Sequence, residues 1–286
     1  MIPQTSPDAM PVALGADFNV QHVLPAHPLS GNRPALVIEN RHWPGEMITL
    51  WYPEELLDTS TAAKARFFRY QAHVMEYEPA WSLIREEDTL LLEYEAPRYR
   101  VEARLQAAPG RLDLAVTVIN RSTAMTPAAW LEICLRTAHA PSFADGTGER
   151  TFIHVDGKWL PIARTSMAGK TDSNFSIFPV GDLKQWPWRH PRFHEEPDCP
   201  LVQMADEAGR RVLGMANLPQ GIIFTNVAGH MRCMHSDAWV PPIEPGKRFT
   251  TRGAVFFTDG GIADAEQAYR QWAVEIPRVH SNPGPS

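Results

Sequence analysis

Cysteine is scarce in this 286-residue chain, with only Cys134, Cys199 and Cys233 present. An odd trio cannot build a disulfide framework, so thiols and a reducing cytoplasm are expected. No apolar run approaches the ~18 residues of a membrane helix, and no membrane partner is expected. Positive charge is not in excess either: 27 Lys and Arg stand against 33 Asp and Glu, a formal net charge of −6. Binding to a phosphate backbone needs a basic surface, which argues against nucleic acid. The opening stretch MIPQTSPDAMPVALGADF has neither a basic n-region nor an apolar h-region. No secretory leader is therefore expected within these residues, a leader already removed being left open. Two catalytic signatures are missing as well. There is no Gly-x-Ser-x-Gly elbow for a serine hydrolase, and no Gly-Lys-Ser/Thr follows the glycine-rich ADGTGER to make a phosphate cradle.

Helical periodicity is rare, and strand periodicity fills the chain. In YRVEARLQ, Tyr99, Val101, Ala103 and Leu105 alternate with Arg100, Glu102, Arg104 and Gln106, the period of two of a strand with one wet face. RLDLAVTVIN repeats the pattern after the Pro109-Gly110 turn. TLLLEYE, AAWLEICLRTAH, TFIHV, RVLGMAN, GIIFTNV and FTTRGAVFF extend it. Ile262, Ala265, Ala268, Tyr269 and Trp272 are spaced for a helix over Ile262 to Glu275, and PEELLDTSTAAKARFFRY has room for a short second one. About ten strands with so little helix predict an antiparallel two-sheet sandwich. The Pro-rich, polar ends read as tails, residues 1–17 and 277–286, around a single β-sandwich domain over residues 18–276. One long interruption, Phe178 to Pro200, carries prolines at 179, 187, 191, 197 and 200, which excludes a central strand.

Near the C-terminus, GHMRCMHSDAWVPPIEPGKRF crowds His230, Cys233 and His235 into six positions. Imidazole and thiolate suit zinc or iron, but strand parity puts Cys233 and His235 on one face and His230 on the other. No local metal site is expected from these three.

The segment from Cys233 to Phe257 resembles the closing segment of the aldose 1-epimerases (galactose mutarotases), where a strand reading roughly Cys-Ile-Glu-Pro runs through a loop and a Pro-Gly turn into a final alternating strand. Pro245-Gly246 takes the turn here. LDLAVTVINRSTAMTPAAWLEICLRTAHAPSF is similar to the family's middle segment, in which a strand ends in Thr-x-His before an aromatic residue; Thr137, His139 and Phe143 hold those places. The resemblance implies a mainly β fold, an antiparallel galactose mutarotase-like β-supersandwich with a short C-terminal helix, and a sugar cleft. It also implies catalysis by a histidine acid and a glutamate base, with His139 at the acid position and His235 where the family has its glutamate. The family's early Asn-Arg and Leu-His-Gly-Gly signatures are absent.

Histidine titrates near neutrality, so an imidazole pair across a cleft suits acid and base work. Arg150, His154 and Asp145, in or beside the polar loop after His139, are expected to contact substrate. Trp186 and Trp188 offer the apolar ring faces on which sugars stack. The combined expectation is an epimerase, lyase or hydrolase acting on a carbohydrate ligand with no cofactor. A non-catalytic sugar-binding sandwich and a metal-dependent enzyme using His139, His154 and His235 are the alternatives.

Overall fold

The computed structural model describes residues 10–23, 27–29, 35–58, 82–86, 88–95, 98–165, 175–180, 195–227 and 232–276. Seventeen strands and one α-helix are assigned among them. The eight-stranded sheet runs, in hydrogen-bonded order, β1 (Val12–Leu14), β2 (Phe18–Val23), β3 (Ala35–Asn40), β4 (Met47–Asp58), β9 (Ala129–His139), β16 (Cys233–Val240), β15 (Gln220–Asn226) and β12 (Phe175–Pro179). The nine-stranded sheet runs β11 (Lys158–Pro161), β10 (Thr151–Val155), β13 (Val202–Ala205), β14 (Arg211–Leu218), β17 (Arg248–Asp259), β8 (Arg111–Asn120), β7 (Tyr99–Ala108), β6 (Thr89–Glu95) and β5 (Ser82–Glu86). Every strand pairing among the described residues is antiparallel, as short turns between successive strands favour.

The sheets face each other across one apolar core. Leu131, Ile133, Leu135, Met234 and Ala238 of the eight-stranded sheet share it with Val101, Leu105, Leu114, Val116 and Val255 of the other. Two polar side chains tie the sheets together across it. Tyr52 donates its hydroxyl to the Arg104 and Ala115 carbonyls at 2.7 and 3.0 Å, tying β4 to β7 and β8. Asn217 of β14 receives Ser236 as partner twice, its N–H donating to Ser236 Oγ at 2.9 Å and its amide to Ser236 O at 2.6 Å.

Helix α1 (Ile262–Glu275) spans the residues its periodicity predicts. Its Trp272 lies on the outer face of the nine-stranded sheet against Leu201, Ala216, Ala254 and Phe256. Two readings change. Val12–Leu14, placed within the N-terminal tail, is a strand paired with Phe18–Val20, the turn between them helped by Gly15 at φ +59°. Pro53 to Asp58, read as a helix start, continues β4, because pairing Glu55 through Asp58 with β9 overrides the helix-favouring Glu-Glu-Leu-Leu. The rest of that helix segment, His230, and the loop residues Trp186 and Trp188 lie outside the described residues. No helix among the described residues is long and apolar enough to cross a membrane.

Candidate functional site

Strand alternation builds the site. Odd positions of β9 enter the core at Leu131, Ile133 and Leu135, so Glu132, Cys134 and Arg136 point to the outer face of the eight-stranded sheet. The β16 register sets His235 opposite Cys134 and Cys233 opposite Arg136. Directly opposed residues share a face, which brings Cys233, His235 and Asp237 to the same outer surface. From β15, Phe224 stands opposite His235 with ring centroids 4.4 Å apart. From β4, Trp51 stands opposite Cys134 and Glu55 opposite Glu132.

An outer sheet face is normally wet, yet His235, Asp237 and Cys233 are 2, 1 and 1 % exposed, with Glu54 and Glu55 also buried. Two sub-clusters lie side by side. In the first, one ligand-type atom from each of Cys134, Cys233 and His235 lies within 4.8 Å of the others, and Cys233 Sγ is 3.4 Å from His235 Nε2. The other ring nitrogen, Nδ1, faces Asp237 Oδ1 at 3.6 Å and Glu54 Oε2 at 3.9 Å. In the second, carboxyl oxygens of Glu54, Glu55 and Glu132 fall within the same 4.8 Å limit.

The charges are strongly perturbed. Burial, then the neighbouring Asp237, Glu54 and Glu55, hold the Glu132 carboxyl well above the usual carboxylate range. Burial also raises Asp237, although its contact with His235 opposes this. The Cys134 hydrogen bond lowers the Cys233 thiol, and His235 adds to that effect against burial. Burial disfavours the His235 imidazolium, but Cys233 and Asp237 outweigh it and raise the ring. Cys134 is pushed up by burial and by Cys233.

No family model matches the sequence, and no curated protein does either. Solved structures do match. The chain is similar to the α-N-acetylgalactosaminidase NagBb from Bifidobacterium bifidum, solved with GalNAc, at 11 % identity and TM-score 0.53 over 93 % of this chain and 39 % of that one. It is also similar to a galactose mutarotase related enzyme from Lactobacillus acidophilus, at 9 % identity and TM-score 0.46 over 89 % of this chain and 98 % of that one. A galactose mutarotase-like protein from Lactobacillus casei follows at 10 % identity and TM-score 0.45, over 83 % and 100 % of the two chains. The fold is galactose mutarotase-like. Identities this low speak for the fold alone.

On the mutarotase-like sheet, the expected residues fall as follows. His139 ends β9 opposite Met47, while Arg136 is opposite Thr49, so β9 carries one extra residue between them. That bulge reverses the alternation and turns His139 to the Met47 side, the face of Cys134 and Cys233. His139 and His235 thus share a face. They stand four residue steps apart along the strands, about 13 Å at ~3.3 Å per residue.

The three loop candidates do not converge on His235. Arg150 donates to the carbonyls of Ser142, Ala144 and Ala205 at 3.0, 2.7 and 3.1 Å. Asp145 accepts from Gly148 N, Arg150 N and Thr151 Oγ1 at 2.9, 3.0 and 2.7 Å. Both hold the turn between β9 and β10 together. His154 belongs to the nine-stranded sheet, where Nδ1 meets Asp198 Oδ2 at 2.8 Å and the ring packs 4.9 Å from Trp159. The sequence reading missed Glu54, Glu55, Glu132, Cys134 and Asp237. The signal was present in WLEICLR and CMHSD, whose alternate positions place a carboxyl, sulfur or basic group every second residue on one face.

Proposed function

We propose that the protein is a carbohydrate-active enzyme whose proton transfers take place on the outer face of the eight-stranded sheet. The observation that carries this is the clustering of buried Glu54, Glu55, His235 and Asp237 with half-buried Glu132 on a face that a sandwich has no structural reason to furnish with charge. Buried, mutually perturbed acids are characteristic of reactive sites. Three carboxyls this close cannot all ionise, so the set holds a proton donor and a proton acceptor side by side. We assign Glu132 as the acid, with Glu55, its cross-strand partner, as the base. His235 has one ring nitrogen toward Cys233 and the other toward Asp237 and Glu54. It therefore organises the site rather than facing substrate as the acid and base pairing with His139 would require. A sugar as ligand is supported by the fold's likeness to a structure solved with GalNAc bound. The separation of His139 from the carboxyl set favours a linked sugar of two or more units over a single ring.

The test is turnover of di- and oligosaccharides followed by proton NMR, which reports epimerisation, elimination and hydrolysis alike. Glu132→Gln is expected to lower the rate about 10²–10⁴-fold, the range for a positioned acid or base, with sugar binding retained. Unchanged turnover in this variant, or saturable sugar binding with no conversion of any sugar, overturns the enzymatic reading, the second result in favour of a non-catalytic sugar-binding sandwich.

A further inference from the structure

We propose that Cys134, Cys233 and His235 bind one Zn²⁺ ion on the outer face of the eight-stranded sheet. The proposal rests on that face being the reactive surface and names a metal partner for it. The residue types come first: two thiolates and an imidazole form a donor set for zinc. The placement is imposed by the ladder. His235 is directly opposite Cys134 and Cys233 lies diagonally from it, so all three side chains leave the sheet on one side without any bulge.

The distances fit. Bonds of about 2.3 Å to sulfur and 2.0–2.1 Å to nitrogen, opened to a tetrahedral angle, hold S and N about 3.5 Å apart. Cys233 Sγ and His235 Nε2 are 3.4 Å apart, and the Cys134 sulfur lies within 4.8 Å of the Cys233 sulfur and of a His235 ring nitrogen. A disulfide fits less well. Diagonal cross-strand residues sit about 7–8 Å apart at Cα, beyond the ~6.8 Å upper limit for a bridged pair, whereas an ion between the sulfurs spans that gap.

The surroundings complete the site. Zinc-bound imidazoles present the other ring N–H to a carboxylate, which fixes the tautomer and the ring. Here His235 Nδ1 faces Asp237 Oδ1 and Glu54 Oε2. That Nδ1, like Asp237 Oδ2, is buried and has no hydrogen-bond partner among the described residues. Binding at Nε2 would leave Nδ1–H to point at Asp237 Oδ1, which also accepts from the Ile133 N–H at 3.2 Å. Val23, Ala35, Val37 and Trp51 pack around the two cysteines and keep the sulfurs dry. The Arg136 guanidinium, 4.5 Å above the Trp51 ring, adds positive charge beside a site rich in carboxyls.

The experiment is metal analysis of the full chain purified under reducing conditions, followed by Co²⁺ titration of metal-stripped protein. One zinc per chain is expected, along with thiolate-to-cobalt charge-transfer absorption and visible tetrahedral d–d bands at one equivalent. Cys134→Ser and Cys233→Ser should each abolish the thiolate bands, and Cys199→Ser, at a half-buried cysteine by α1, should leave them unchanged. If the first two variants fail to fold, Asp237→Asn keeps the question open to measurement, with zinc affinity expected to fall about 10–100-fold as for a lost outer-shell carboxylate. Zinc also should protect two of three thiols from alkylation. Absence of stoichiometric metal together with no cobalt thiolate band overturns the site. So does metal bound without that band, which would place it on Glu54, Glu55 and Glu132 instead. None of these readouts uses a sugar, so the metal site and the carbohydrate reading fail separately.

Discussion

The outer faces of the two sheets are finished in opposite ways. On the nine-stranded sheet, α1 closes the surface with apolar contacts: Trp272 meets Phe256 edge-on at 5.8 Å and Tyr269 lies 5.9 Å away. Its charged partners stay at the rim, as with Arg270 and Glu266. On the eight-stranded sheet, the central strands β4, β9 and β16 bury sulfur, imidazole and carboxyl groups. Burying an apolar side chain stabilises a fold, whereas burying an ionisable one works against it unless it is compensated. The first face is therefore a stability feature. The second is costly for stability, a cost that the proposed chemistry would explain.

The comparison breaks or holds on paired variants. Trp272→Ala should produce the largest loss, about 3–5 kcal/mol of unfolding free energy for a buried tryptophan, read from chemical denaturation, with turnover per folded molecule unchanged. Glu132→Leu should do the reverse. Replacing a half-buried acid crowded by other carboxyls with an apolar residue of similar size is expected to leave stability unchanged or raise it, while turnover collapses. Equal stability losses at both positions would show that the carboxyl set is structural.

Much of this was legible in the chain. The helix over Ile262 to Glu275 and the alternation of Tyr99 to Asn120 follow from local period, and parity alone put Cys233 with His235. What stayed hidden is non-local. Cys134 is 99 positions before Cys233 (233 − 134), and only the β9–β16 register makes them neighbours. The face of His139 depends on one extra residue after Arg136, which no pattern in LRTAH reveals. Glu54 and Glu55 were masked by helix-favouring neighbours, and only the pairing of Glu55 with Glu132 of β9 places them on this face. Arg150 and Asp145 looked like ligand groups because their partners, carbonyls and N–H groups of the same turn, carry no side-chain signature.

A smaller effect probes how the site face is shaped. At Gly221, β15 shifts register against β16, and a Cβ added there would lie 2.5 Å from the Asp237 carbonyl oxygen. Gly221→Ala should cost about 1–3 kcal/mol through overpacking. It should also weaken zinc binding by moving Asp237, whereas Gly209→Ala, at a positive-φ turn with open space around it, should lower stability and leave zinc affinity alone. Equal zinc affinities in the two variants would separate the bulge from the site.

The smallest effect concerns pH and belongs to an acid away from the carboxyl cluster. Asp206, after β13, accepts from the Arg210 and Arg211 N–H groups at 2.8 and 3.1 Å and from Arg211 Nε at 3.0 Å. Burial works to raise its carboxyl, but the Arg211 side chain and the two backbone donors outweigh burial and hold it below the usual range. A carboxyl lowered on folding binds fewer protons in the native state than in the unfolded one. Its contribution is therefore complete above the unfolded value, about 3.9 for Asp, and disappears as pH falls through the lower native value. Asp206→Asn should reduce stability at neutral pH and flatten the acid limb of the stability curve below about pH 4, measured by urea denaturation across pH. An acid limb as steep as in the parent protein would mean that the Asp206–Arg211 contact contributes nothing to the linkage.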